Sequence, residues 1–334
     1  MLAAYAARID PDRPLDALRV QQVDPASTPG GAQTPDDWVE VDVRAAALNH
    51  HDLFALRGVG LAASALPMIL GCDAAGVAPD DSEVIVHSVI NDPGFAGPDS
   101  THDPRRSLLS ERYPGTLAER VRVPRANLVA KPPELSFAEA ACLPTAWLTA
   151  YRMLFVQSGL RPGETVLVQG AGGGVATALV LLAKQAGLRV WVTSRSEERG
   201  ERAVGLGAQA WFPSGARLPE RVDAVMESVG AATWSHSINS LRPGGAVVIC
   251  GTTSGAEPDN AELTKIFFKP LRVIGSTMGT RDELEDLLGL LVATGLRPVI
   301  DRTTALADAR LAFERLESGT GFGKQVISVG PAQD

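Results

Sequence analysis

Hydrophobic and polar positions alternate in two different ways along the chain, and the change falls near Val123. Before it, Leu18–Val23 and Val39–Ala45 carry strand-like apolar residues, and Val84–Val89 is rich in β-branched side chains. These stretches predict β structure. Connections such as Pro29-Gly30-Gly31 and Pro93-Gly94 separate them, and residues 91–115, with four prolines and three glycines, read as a long surface loop. Beyond Val123 the texture becomes an alternation. Thr165–Gln169 is a short apolar run, Val175–Ala186 has helical composition and stops at Gly187, and Leu188–Thr193 is a second strand. A charged helix over Glu197–Leu206 follows, then strands near Ala210, at Val222–Glu227, Ala246–Gly251 and Leu271–Ser276. Six strands spaced by helix-length segments predict a parallel sheet with helices on both faces.

After Ser276 the regularity is lost. Asp282–Ala293 places Leu284, Leu287, Leu288 and Leu291 on one helical face, Ala305–Leu316 predicts a second helix, and Lys324–Val329 a last strand. So short a tail needs a partner core, and the N-terminal β region supplies one. The fold class is therefore α/β: a β-rich domain over residues 1–124 plus 277–334, interrupted by a doubly wound parallel-sheet domain over residues 125–276.

Composition narrows the function classes. The 334 residues carry 31 Lys plus Arg against 39 Asp plus Glu, a net charge of −8. That argues against a nucleic-acid or membrane-surface partner, both of which favour basic faces. The longest strongly apolar run, Val175–Ala183, is well short of the roughly 20 residues that span a bilayer. Arg8 and Asp10 interrupt the N-terminus before any apolar leader forms, so the expected location is cytoplasmic. Cys72, Cys142 and Cys250 are the only cysteines; they are far apart and form no CxxC pair, which excludes a disulfide framework and a cysteine-rich zinc site.

The chemistry concentrates where strand Thr165–Gln169 runs into Gly170-Ala171-Gly172-Gly173-Gly174-Val175. Glycines let backbone N–H groups approach a pyrophosphate, and the following helix presents its positive end. The literal G-x-G-x-x-G is not met, but the strand–turn–helix context points to a dinucleotide. Sheets that bind NAD place an acid about 20 residues further on, to accept from the ribose 2′-OH. Here that position is Ser194, followed by Arg195. A hydroxyl and a guanidinium suit a 2′-phosphate, so the cofactor reads as NADPH. Ser228, Val229 and Gly230 end the fourth strand, and Cys250, Gly251 and Thr252 the fifth, where such cofactors lie.

At this point a family becomes visible. Ala45-Ala46-Ala47-Leu48-Asn49-His50-His51-Asp52-Leu53, Leu66-Pro67-Met68-Ile69-Leu70-Gly71-Cys72-Asp73-Ala74-Ala75-Gly76, Gly115-Thr116-Leu117-Ala118-Glu119, Leu148-Thr149-Ala150-Tyr151, Gly275-Ser276-Thr277-Met278-Gly279-Thr280 and Gly321-Phe322-Gly323-Lys324 together resemble the medium-chain dehydrogenase/reductase superfamily, over nearly the whole chain. The likeness is greatest to its zinc-independent quinone oxidoreductase-like branch. The resemblance implies a GroES-like substrate domain interrupted by a Rossmann domain. It matches the catalytic-zinc positions to Asn49, Cys72 and Thr145, which leaves a single thiol, and its structural-zinc loop to residues 91–115, which hold no cysteine. It therefore implies no metal. It also places His50 near the pyrophosphate, His51 at the proton-relay position, Asn49 as a hydrogen-bonder lining the substrate site, Thr149 near the nicotinamide and Lys184 on the 2′-phosphate.

The expected activity is an NADPH-dependent, zinc-free reduction of an enone, a quinone or another α,β-unsaturated carbonyl, a small-molecule substrate. An alcohol dehydrogenase or ketone reductase of the same superfamily, and a non-catalytic NADPH-binding homologue, are the alternatives. The apolar strand Leu271–Ser276 should lie at a sheet edge, where its open N–H and C=O groups invite a second copy, so a homodimer is expected.

Overall fold

The computed structural model describes residues 1–24 and 34–330, so the Pro29-Gly30-Gly31 connection lies outside the described residues. The chain divides into two compact units, Met1–Thr145 with Gly279–Asp334, and Ala146–Met278.

The first unit is organised by the long strand Val39–Ala47, whose alternating buried side chains Val39, Val41 and Val43 face the core. It pairs with Asp73–Val77 and Arg120–Val123, and with Lys324–Ser328 from the far end of the chain. The sheet continues outward through Glu83–Val86 to Leu128–Ala130, and on the other side to Ile300–Ala305. The expected discontinuous domain is thus closed by its C-terminal strand. Segment 125–145, expected in the second domain, belongs here instead, because Leu128–Ala130 extends this sheet. Phe313, Ile327 and Leu306 from the C-terminal segment join Val41, Leu53, Leu56, Met68 and Leu117 in one core.

Three local expectations differ from the structure. Val84–Val89 is two strands, Glu83–Val86 and Val89–Ile90, because the polar pair His87-Ser88 breaks the ladder. The His87 ring bonds the Gly279 carbonyl at 3.0 Å, and Asn127 Nδ2 donates to the carbonyls of His87 and Val89, so the break is held from both sides. Residues 91–115 contain the strand Ser107–Leu108, paired with Val89–Ile90. The helix expected at Ala305–Leu316 starts later, at Ala309, after the strand Ile300–Ala305 and a single 3-10 turn.

The second unit is a six-stranded parallel sheet in the order Ala210–Pro213, Arg189–Ser194, Thr165–Val168, Val222–Glu227, Leu241–Ile249, Arg272–Gly275. Val166, Leu167, Val168, Val190 and Val192 are fully buried, as expected of strands covered on both faces. Chain order reverses across Thr165–Val168, and ligands of such sheets bind at that switch point, beyond the strand C-termini. No helix among the described residues is long and apolar enough to cross a membrane.

One packing contact offers a direct test of the first sheet. A side chain at Gly76 would run into the Asp42 carbonyl across the strand pair. Overpacking of this kind costs about 1–3 kcal/mol, so Gly76→Ala should lower Tm by at least about 2 °C. An unchanged thermal midpoint by calorimetry would contradict the register.

Candidate active site

In the second unit the Gly-rich turn sits where the switch-point rule places a ligand. Strand Thr165–Val168 leads through Gln169 and Gly170 to the helix Gly174–Gln185, whose first N–H groups have no partner within the helix. Ala171 and Gly172 are buried, whereas Gly173 is exposed with open space where a Cβ would stand. The Gly170 N–H donates to Thr193 Oγ1 at 3.1 Å, which ties the turn to the adjacent strand. The other expected cofactor residues meet in two bonded loops. The Cys250 N–H donates to the Glu227 carbonyl and the Ser254 N–H to the Val229 carbonyl, so Ser228–Gly230 and Cys250–Thr252 lie side by side. Gly230, at φ +94°, faces Thr252 and the Gly255 carbonyl with no room for a side chain. Thr149 is buried in the helix Leu148–Tyr151, which packs on the helix Gly174–Gln185.

The two residues expected at the ribose differ in what they can offer. Ser194 is buried and its hydroxyl is committed to a local turn, donating to the Ser196 carbonyl at 2.7 Å and accepting the Ser196 N–H at 3.1 Å. Arg195 is exposed, with no hydrogen bond or ion pair among the described residues. Lys184 is not brought to them. It stands ten residues along the helix from Gly174, roughly 15 Å at 1.5 Å per residue, with its side chain over the face of Gly207 where a Cβ would stand. Arg199, in the first turn of the helix Glu197–Leu206, is the nearer cation in sequence, and sequence reading passed over it.

In the first unit a polar cluster forms where three paired strands end. Register places Ala47 opposite both Asp73 and Val326, so Asn49, Asp73 and Lys324 converge. Asp73 and Lys324 are 0% and 3% exposed. Lys324 Nζ donates to Asp73 Oδ2 at 3.2 Å, Asn49 Oδ1 at 2.6 Å and the Leu48 carbonyl at 2.8 Å, which uses all three of its hydrogens. Asn49 Nδ2 donates to Asp73 Oδ2 at 2.9 Å, and Thr145 Oγ1 to Asp73 Oδ1 at 2.5 Å. Both ends of the Asn49 amide are therefore engaged inside the cluster, where sequence reading expected a group facing substrate. Cys72 points elsewhere: its thiol donates to the Leu109 carbonyl at 3.3 Å, and burial, with the charges of Asp52 and Asp73, raises it well above the usual thiol range. Of the three positions matched to zinc ligands, each is thus committed to a partner in the fold.

The two histidines stand in the first turn of the helix His50–Leu56. His50 is exposed, its ring 6.4 Å from that of Phe54. His51 Nε2 lies 3.1 Å from Glu111 Oε1, and its Nδ1 is buried without a hydrogen-bond partner among the described residues. A carboxylate accepts, so the Nε2 hydrogen lies on this bond. Asp52 does not compete for the imidazole: its oxygens accept the N–H groups of Gly71 and Asn49, each within 2.9 Å.

The sequence matches two family descriptions, an alcohol dehydrogenase GroES-like domain over residues 35–133 and a zinc-binding dehydrogenase over residues 174–293. An acryloyl-coenzyme A reductase of Metallosphaera sedula is 30% identical over 307 residues, covering 87% of this chain and 92% of that protein. The chain belongs to the medium-chain dehydrogenase/reductase superfamily. Membership makes it an oxidoreductase, and it confirms the GroES-like and Rossmann units as the fold. Among solved structures, a crotonyl-CoA carboxylase/reductase in complex with NADP superimposes with a TM-score of 0.88 at 25% identity, covering 100% of this chain and 95% of that one. An NAD-dependent alcohol dehydrogenase gives 0.87 at 31% identity, covering 99% and 100%.

The ion pair gives this site its own test. Removing one partner of a buried pair leaves the other charge uncompensated, at about 3–5 kcal/mol. Lys324→Met should lose that much stability in urea unfolding, and adding Asp73→Asn should restore part of it. A loss under about 1 kcal/mol in the single variant would mean the cluster is not formed as described.

Proposed function

We propose that this protein is an NADPH-dependent reductase that adds hydride to an α,β-unsaturated carbonyl substrate without zinc. The observation that carries the reading is the state of the three zinc-ligand positions: an amide bonded to an ammonium, a buried thiol bonded to a carbonyl, and a hydroxyl bonded to a carboxylate. Amide and hydroxyl oxygens are poor zinc ligands, and this donor set does not fit the ion. Alcohol oxidation relies on a Lewis acid to stabilise the alkoxide. An alkene conjugated to a carbonyl is already electrophilic and needs only hydride, a proton and stabilisation of the enolate-like oxygen. The likeness to an acryloyl-coenzyme A reductase and to a crotonyl-CoA carboxylase/reductase supports the same class. Quinones stay within it as a second group of acceptors.

Bound NADPH supplies the hydride. The turn Gly170–Gly174 and the helix after it would take the pyrophosphate, and Arg195 would meet the 2′-phosphate from its exposed position. Ser228–Gly230, Cys250–Thr252 and Thr149 would hold the nicotinamide half. His51, oriented by Glu111, supplies the proton. Asn49 acts through the cluster it belongs to, holding the helix that carries His51, rather than by touching substrate.

A zinc-dependent alcohol dehydrogenase is the second reading, favoured by the likeness to an NAD-dependent alcohol dehydrogenase. One experiment separates the two: cofactor oxidation with enoyl thioesters, enones and quinones against alcohols and ketones, on protein whose metal content is measured. We expect turnover of conjugated substrates with substoichiometric zinc. Because a charge-assisted bond is worth about 1.5–3 kcal/mol, Arg195→Ala should weaken NADPH by roughly tenfold to a hundredfold and leave NADH nearly unchanged. Stoichiometric zinc with turnover of alcohols alone, or equal loss of both cofactors in the variant, would overturn the reading.

The chain's state in solution is proposed to be a homodimer. Strand Arg272–Gly275 ends the sheet with Val273 exposed, and Leu263, Phe267 and Phe268 on the preceding helix are 65–74% exposed. An apolar patch beside an open strand edge suits a second copy. Light scattering at micromolar concentration should give twice the 35.1 kDa chain mass; a monomer mass would remove the dimer.

A further inference from the structure

Gln169 immediately precedes the phosphate turn and is 0% exposed. Its carboxamide is surrounded by groups whose hydrogens leave little choice. Gly170 N–H donates to Thr193 Oγ1 at 3.1 Å, and the Thr193 hydroxyl donates onward to Gln169 Oε1 at 2.6 Å. Gln169 Nε2 then donates to Ser237 Oγ and to His236 Nδ1, each at 2.9 Å. Ser237 passes its own hydrogen to Glu227 Oε2 at 2.6 Å. Glu227, also 0% exposed, accepts the Thr233 hydroxyl at 2.8 Å and the N–H groups of Val229 and Gly230 at 2.7 and 3.0 Å. A single directional chain therefore joins the turn at Gly170 to the loop at Val229-Gly230.

The direction holds only if His236 Nδ1 is bare, because Gln169 donates to it. His236 Nε2 lies 2.9 Å from the Ala216 carbonyl and must carry the hydrogen. The imidazole is thus neutral, in one tautomer. A proton on Nδ1 would face the amide N–H₂ with a second donor. Relief requires the amide to rotate, and then the Thr193 hydroxyl hydrogen loses its acceptor and Ser237 must turn from Glu227 to the amide oxygen. Glu227, reached through Ser237, is the charged group in this network; among the described residues no carboxylate, lysine or arginine bonds directly to His236.

We propose that Gln169, with Thr193 and His236, is a positioning relay that holds the phosphate-binding turn in its cofactor-accepting form while His236 is neutral. The inference rests on the reading of this turn as the NADPH site. Buried hydrogen-bonded networks of this kind stand or fall as a unit, since an unsatisfied member loses its desolvation cost uncompensated.

Two measurements on the full-length protein test it. In ¹⁵N NMR, with the His236→Gln variant assigning the resonance, wild-type His236 should show a bare Nδ1 and a protonated Nε2 at pH 8; the opposite tautomer overturns the relay, and this needs no folded variant at the amide. The second is the Kd of NADP⁺ at pH 8 for wild type, Gln169→Glu, and Gln169→Glu combined with His236→Gln. A carboxylate facing bare Nδ1 should weaken binding about tenfold. A glutamine amide at position 236 can donate to that carboxylate, so the double variant should return to within about threefold of wild type. A double variant as weak as the single one, or a single variant as tight as wild type, sinks the relay alone; wild type that binds no NADP⁺ sinks the cofactor reading beneath it.

Discussion

Asp73 is a carboxylate with no exposure to water, and the first unit is arranged around satisfying it. Its partners come from stretches far apart in sequence: Asn49, Thr145, Lys324 and, at 3.5 Å, Ser88. Taking such a charge out of water costs several kcal/mol unless its geometry and partners are complete. The strand Lys324–Ser328 must therefore dock beside Val39–Ala47 in one register, since a slip of one residue would turn Lys324 to the opposite face. That constraint ties the last strand of the chain to the first domain. It also sets the chemistry on the proposed reading, because the Lys324 ammonium that neutralises Asp73 also takes the Asn49 Oδ1 that a metal would otherwise need.

The second unit solves a similar problem differently. Glu227 is buried without a cation bonded to it among the described residues: four neutral donors, two hydroxyls and two backbone N–H groups, surround its oxygens. Because these donors belong to the loop and helix after the strand, the carboxylate shapes the loop Ser228–Gly230 directly. Both units thus place a buried acid at a strand end and use it to fix the residues around a candidate site.

Much of this was legible in the sequence. The parallel sheet announced itself through short apolar runs at helix-length spacing, and the Gly-rich turn through its place between strand and helix. The discontinuous first domain followed from a tail too short for its own core. What escaped has physical causes. Leu2–Ala6 is short and alanine-rich, and Ile300–Ala305 is mostly polar, so neither stands out by composition. Val84–Val89 reads as one strand because its interruption depends on Asn127 and Gly279, distant in sequence. Lys184 was assigned by motif likeness, while helix rise carries it to the far end from the turn. Asn49, Asp73 and Lys324 were visible as motif residues, yet their mutual bonding depends on strand register. Gln169 and Glu227 did leave a signal that went unused: a polar residue at the end of a buried apolar run is costly unless it is hydrogen-bonded.

The central claim is metal-free hydride transfer to a conjugated carbon, and isotope placement tests it most directly. The protein, dialysed against chelator, is supplied with NADPH deuterated at the transferable C4 position and an enoyl thioester in ordinary water, and the product is examined by NMR. The account predicts one deuterium on the β-carbon and a solvent hydrogen on the α-carbon, at a rate that added zinc does not raise. Deuterium on a carbinol carbon, or turnover that appears only when zinc is restored, would contradict it.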